Sequence, residues 1–275
     1  MRFAGKVLLG WVALAVIQVV TGVLVPLNAP AAANVLTWLL VTNLLIVTVL
    51  GFAAVRSGWR GWRLAIALFT VPCVIAFVNM IEGVVYLTHS GLDWGRLLLF
   101  TLIVYAAAGP VWALVFGTKR ADGRPGSPSL LPRKLFDGAW RFAVSDVAYL
   151  CLYFLAGSIV FPFVRDYYAT QTLPSAGTIV SLQLLLRGPL FIAVCLLLMR
   201  MIGMKRFAGA LALGGAFTIL SAVAPLLIPN PFFPDSVRWA HFCEVTSSDF
   251  VFGVLVGWIW GRSEVAPASV VARAA

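Results

Sequence analysis

Two histidines, ten acidic residues and four scattered cysteines are all that this chain of 275 residues offers for metal binding or acid–base chemistry. Cys73, Cys151, Cys195 and Cys243 fall in four different apolar segments with no CxxC spacing, which excludes a disulfide framework and a thiolate metal site and leaves them as packing residues. His241 and Glu244 stand in HxxE spacing, with Glu82 as a third candidate ligand. The other histidine, His89, lies in the stretch THSGLDW, and a structural or catalytic metal needs three or more well-placed ligands. No metal is therefore expected, and no cofactor. The chain also lacks a GxxxxGKS/T phosphate loop, a GxGxxG fingerprint, a GxSxG elbow and an HExxH pair. Those absences remove ATP-driven pumping by this chain, dinucleotide chemistry and the common hydrolase layouts.

Charge is equally sparse. Charged residues make up only 11% of the chain against 61% hydrophobic ones, and the mean hydropathy is +0.99. That balance lies outside the range of soluble proteins and describes a membrane protein. Crossing about 30 Å of hydrocarbon takes roughly 20 apolar residues in a helix. Eight such segments can be marked: Val7 to Pro26, Val35 to Val55, Leu64 to Leu87, Leu97 to Phe116, Phe142 to Phe163, Thr178 to Met199, Phe207 to Ile228 and Trp239 to Trp260. The expected fold is an all-α polytopic helical bundle. The first segment has the basic start of a signal peptide but no small-residue cleavage site, so it reads as a permanent helix.

The net charge of +10 would suggest nucleic acid in a soluble chain. Here it has another source. Alternate connections between the segments share the basic residues very unequally: Arg96, Arg165 and Arg238 fall on one side, Arg187 lies inside a segment, and the other sixteen of the twenty fall on the opposite side. Because short basic loops are retained in the cytoplasm, this asymmetry predicts both termini cytoplasmic in a bacterial inner membrane, with membrane lipids rather than nucleic acid as the partner. The oligomeric state is not readable. The basic, Gly- and Pro-rich stretch 119–141 reads as a cytoplasmic linker between two four-span halves, 1–118 and 142–275, whose GVLVPL and GSIVFPF endings and basic hairpins are faintly alike, as in a parallel repeat.

An ionisable group near the middle of a span costs at least about 2.5 kcal/mol on insertion scales and normally faces a cavity or a partner. Four stand out: Glu82, Arg187, Glu244 and Asp249. With about 1.5 Å of rise per residue, Arg187 and Asp249 approach the midplane, and the two glutamates lie about 8 Å from the outer ends of their spans. Helical spacing adds two stripes: Asn79, Glu82 and Tyr86 in the third span, and His241, Glu244 and Ser248 in the eighth. Together these eight residues are the candidate ligand- or proton-binding set, lining a cavity that opens outward. In QLLLRGPLF, Pro189 frees the carbonyl of Leu185 beside the arginine, a setting suited to an anionic group.

These residues suggest a secondary transporter or permease in which Arg187 binds a small polar or anionic solute and a buried carboxylate carries a proton. Two other classes fit the same pattern. One is an intramembrane enzyme acting on a lipid or isoprenoid, with Glu82 or Glu244 as general base and His241 as acid or base. The other is a non-catalytic membrane subunit. No catalytic motif singles out an enzyme.

Overall fold

The computed structural model describes residues 2–27, 34–86, 92–117, 135–203, 206–229 and 233–261. Among them every regular element is a helix, and eight are long and apolar enough to cross a membrane: α1 Phe3–Leu24, α2 Val35–Ser57, α3 Gly61–Tyr86, α4 Trp94–Phe116, α5 Leu135–Tyr168, α6 Ala176–Ile202, α7 Phe207–Leu227 and α8 Asp235–Trp260. The chain is an all-α, multi-pass membrane protein. Two helices begin in polar turns ahead of the segments that hydropathy marked. The fifth starts at Leu135, so residues 135–141 of the expected linker are helical, held by Asp137, which accepts from Trp140 Nε1 at 2.9 Å and from Arg141 Nε at 3.1 Å. The eighth starts at Asp235, whose carboxylate pairs with Arg238 at 2.8 Å. Polar first turns of this kind extend a helix beyond its apolar core without raising its hydropathy. Residues 119–134 of the linker lie outside the described residues, as does His89.

Helix α1 packs on α2 and α4, α3 on α4, and α8 on α5 and α7, while α2 and α3 meet α6 and α7 along a central seam. Large buried side chains fill the core, among them Leu50, Leu68, Trp112 and Phe116 from the first four helices and Phe191, Phe217 and Phe252 from the last four. Val23, Leu114, Phe163 and Leu185 instead point outward, the arrangement lipid-facing side chains require. Some basic residues also cap helices: Arg56 Nε donates to the carbonyl of Ile202 at 2.9 Å and an Arg141 guanidinium nitrogen to that of Ile259 at 2.6 Å, at the C-termini of α6 and α8. A cation there satisfies orphan carbonyls and meets the negative end of the helix dipole.

Two helices share one irregularity. A π-turn interrupts α6 at Gln183–Arg187 and α7 at Ile219–Val223, each followed by one small residue and a proline, Gly188-Pro189 and Ala224-Pro225. Proline brings no N–H to the i→i−4 ladder, and the extra residue of a π-turn absorbs the mismatch. The amide of Gly188 accordingly donates to Gln183, five residues back, and that of Ala224 to Ile219. The loosened segments are the ones that carry Arg187 and Ser221.

Candidate functional site

Three helices bring the ionisable residues together and a fourth closes the wall. Glu82 from α3, Arg187 from α6, and Glu244, Ser248 and Asp249 from α8 line one cavity with Tyr149, Leu152 and Tyr153 of α5. Its volume is about 40 Å³, room for about three waters. The guanidinium of Arg187 pairs with Glu82, so the arginine's partner comes from α3 and not from α8. It also stacks near Phe191 at 5.4 Å and Tyr149 at 5.9 Å. Gln183, one turn back on the π-turn, places its Oε1 3.4 Å from the same guanidinium. Two buried donors here, Arg187 Nε and Gln183 Nε2, have no acceptor among the described residues.

Asp249 is 4% exposed and meets the hydroxyl of Ser221 at 2.5 Å. The same hydroxyl lies 2.8 Å from the carbonyl of Phe217. One hydroxyl proton cannot serve two acceptors. If Asp249 carries a proton, it donates to Ser221 Oγ, which then donates to Phe217, and every contact is satisfied; if Asp249 is ionised, one of the two short contacts faces oxygen lone pairs on both sides.

Aromatic groups flank the cavity on two sides. Toward the basic end of the bundle stands a cluster of rings: Tyr149 lies 5.6 Å from Phe191 and 5.0 Å from Phe252, and Phe217 packs on both phenylalanines. Toward the other end, the hydroxyls of Tyr86 and Tyr153 meet at 2.7 Å. The HxxE spacing of α8 appears as a contact of His241 Nδ1 with Glu244 Oε2 at 2.7 Å, and Tyr168 OH reaches His241 Nε2 at 2.6 Å, forming a Tyr–His–Glu chain. Gly157 makes room for that carboxylate, since a Cβ there would stand 3.3 Å from Glu244 Oε1.

Seven of the eight candidate residues thus lie on or next to this cavity. Asn79 is elsewhere. Its amide donates to the carbonyl of Ser221 at 3.0 Å, the carbonyl that the N–H of residue 225 would serve in a regular helix if that residue were not proline. Asn79 therefore fills a valence opened by Pro225. Asn79→Leu should cost about 1–3 kcal/mol by leaving that carbonyl unsatisfied, and clearly less in a Pro225→Ala background, where a backbone N–H returns. Thermal unfolding of the two single variants and the double variant in detergent measures the coupling, and equal cost in both backgrounds would refute the capping role.

One ionisable residue escaped the sequence reading. Asp146 lies one turn before Tyr149 on α5, with Oδ1 buried and without a partner among the described residues. Gly188 admits it, because a Cβ at that position would lie 2.0 Å from Asp146 Oδ1. Asp146 thus lies one turn toward the basic end of α5 from Tyr149, against the residue that follows Arg187. The available signal was its position inside the fifth apolar segment. Among the described residues, no group of three or more His, Cys, Asp or Glu side chains could hold a metal ion. No protein-family profile, curated protein or solved structure matches this chain.

Proposed function

We propose that the protein is a proton-coupled secondary transporter for a small polar or anionic solute, set in a bacterial inner membrane with both termini cytoplasmic. The observation that carries this reading is the convergence of Glu82, Arg187, Glu244 and Asp249 from three helices on one cavity flanked by aromatic side chains. Charged groups at that depth are costly and mark ion or substrate pathways, often where helices are broken.

The pairing suggests how proton and anion would be linked. Glu82 occupies the guanidinium that an anionic solute needs. Protonation of Glu82 removes the competing charge, frees Arg187 and leaves the unpartnered Arg187 Nε and Gln183 Nε2 as further donors, so anion and proton bind together. The cavity is too small for most metabolites, which fits a closed stage of an alternating cycle. Asp146, one turn nearer the basic end than Tyr149 and beside Gly188, would take the proton in that direction.

A screen in proteoliposomes tests this: under an inward acid gradient, at least one radiolabelled member of a panel of small carboxylates and inorganic phosphate should accumulate. Accumulation should vanish in Arg187→Gln, and in Glu82→Gln uptake should persist without its dependence on pH. No uptake of any member, or unchanged uptake by Arg187→Gln, would overturn the reading. The Tyr168–His241–Glu244 chain favours a second reading, a lipid-directed enzyme using His241 as base. It predicts conversion of a lipid by the wild type and none by His241→Gln.

A further inference from the structure

A larger cavity, of about 160 Å³, lies on the other side of Asn79, between α1, α2, α3, α4 and α7. It is partly open at the surface of the bundle, and its volume is of the order that accepts a molecule the size of benzene. Its lining has a definite chemistry. Among the described residues no carboxylate and no cationic side chain lines it; the walls are mostly apolar, with Leu39, Ile46, Ile75 and Leu220 among them, and the polar contributors are neutral.

Many of the polar valences are already used. Gln18 and Asn43 form a reciprocal amide pair, with Asn43 Nδ2 donating at 2.5 Å and Gln18 Nε2 at 3.2 Å. Thr42 donates to the carbonyl of Ala224 at 3.1 Å, and Asn79 Nδ2 serves Ser221. The hydroxyl of Tyr105 and the Oδ1 of Asn79 have no hydrogen-bond partner among the described residues, and the amides of Gln18, Asn43 and Asn79 each keep a second N–H. These neutral groups belong to residues lining a mostly apolar chamber, in which a charge would be desolvated without compensation.

We propose that this chamber is a binding site for an uncharged, compact alcohol or phenol, its hydroxyl donating to Asn79 Oδ1 and accepting from Tyr105, its hydrocarbon body against the aliphatic wall. The molecule is either a free solute or the head of a membrane lipid alcohol. The site does not depend on the transport reading, since it shares no ionisable residue with the first cavity.

The test uses 4-fluorophenol and the full chain in lipid nanodiscs, with empty nanodiscs subtracting partition into lipid. Fluorine NMR should show saturable binding to the wild type. Tyr105→Phe removes only the hydroxyl, so it should melt like the wild type and bind about tenfold more weakly, the loss of one hydrogen bond. Ala76→Phe, which fills the chamber, should abolish saturable binding. Displacement of the probe by farnesol at a few copies per disc would identify a lipid source, and displacement by cyclohexanol alone a free solute. Non-saturable signal in the wild type, or saturable binding retained in a folded Ala76→Phe variant, would overturn the proposal, as would equal affinity in Tyr105→Phe.

Discussion

Glu82→Leu should destabilise the protein by about 3–5 kcal/mol, the cost of stranding one member of a buried ion pair, and Arg187→Leu should cost less. The asymmetry follows from the chemistry of the two groups. The side chain of Arg187 is 5% exposed and that of Glu82 28%, and a guanidinium cannot shed its proton in a protein, whereas a carboxylate deprived of its partner can take one up. Removing the acid therefore leaves a permanent charge in the middle of the bundle; removing the base leaves a group able to neutralise itself. Asp249 does not replace Glu82 readily, because it is engaged with Ser221. The double variant Glu82→Leu/Arg187→Leu should recover most of the loss, since apolar pairs of similar volume often match a buried ion pair in stability. Reversible unfolding of the three variants in detergent decides the matter. A larger loss for Arg187→Leu than for Glu82→Leu would show that the pair is not the arginine's main support.

A second measurement addresses the proton at Asp249. The single hydroxyl of Ser221 can make both of its short contacts linear hydrogen bonds only if Asp249 is a carboxylic acid. Infrared spectra of the purified protein in H₂O and D₂O should contain a carboxylic C=O band that disappears in Asp249→Asn and survives in Glu244→Gln. A spectrum without that band, or one that loses it only in Glu244→Gln, would move the proton elsewhere.

The spans and the depth of Arg187 were legible because both depend on counting: apolar length sets the crossing, and residue number along a helix sets depth. The His241–Glu244 contact was legible because i,i+3 neighbours share a face whatever the helix packs against. Rotation of one helix against another is different. Asn79 and Glu82 share a face of α3 by the same rule, yet one reaches α7 and the other α6, because the side chains sit at a corner where α3 touches both. Proline in QLLLRGPLF signalled a break but not its form, since the π-turn depends on what the neighbouring helices offer the freed groups. Asp146 was passed over because it lies only one turn inside the apolar segment that begins at Phe142, and its burial comes from the close approach of Gly188 on α6, which the sequence does not show. Tyr149 and Tyr153 are uncharged and gave no warning that they would wall the site.

The contact most exposed to disruption is the one that holds α8, and with it His241, Glu244, Ser248 and Asp249, against α7. Gly253 and Gly257 face Ala210 and Gly214, two small-xxx-small pairs of the kind that let membrane helices approach closely. A Cβ at Gly257 would stand 2.6 Å from Ala210 Cα and one at Gly253 2.8 Å from Gly214 Cα. In both cases the obstacle is backbone, which cannot rotate away as a long side chain would, so the helices themselves must part. Gly257→Ala should therefore cost about 1–3 kcal/mol. Gly257→Leu should exceed that range and remove most of the folded protein from membrane extracts. Gly215 is the internal control: it lies on the same helix as Gly214, but nothing stands within 4 Å of its would-be Cβ. Gly215→Ala should be neutral or stabilise by up to about 1 kcal/mol through helix propensity. Because Asp249 on α8 bonds Ser221 on α7, Gly257→Ala should also weaken the carboxylic infrared band assigned to Asp249, while Gly215→Ala leaves it intact. Equal melting temperatures for Gly257→Ala and Gly215→Ala would mean that this seam does not set the spacing of α7 and α8.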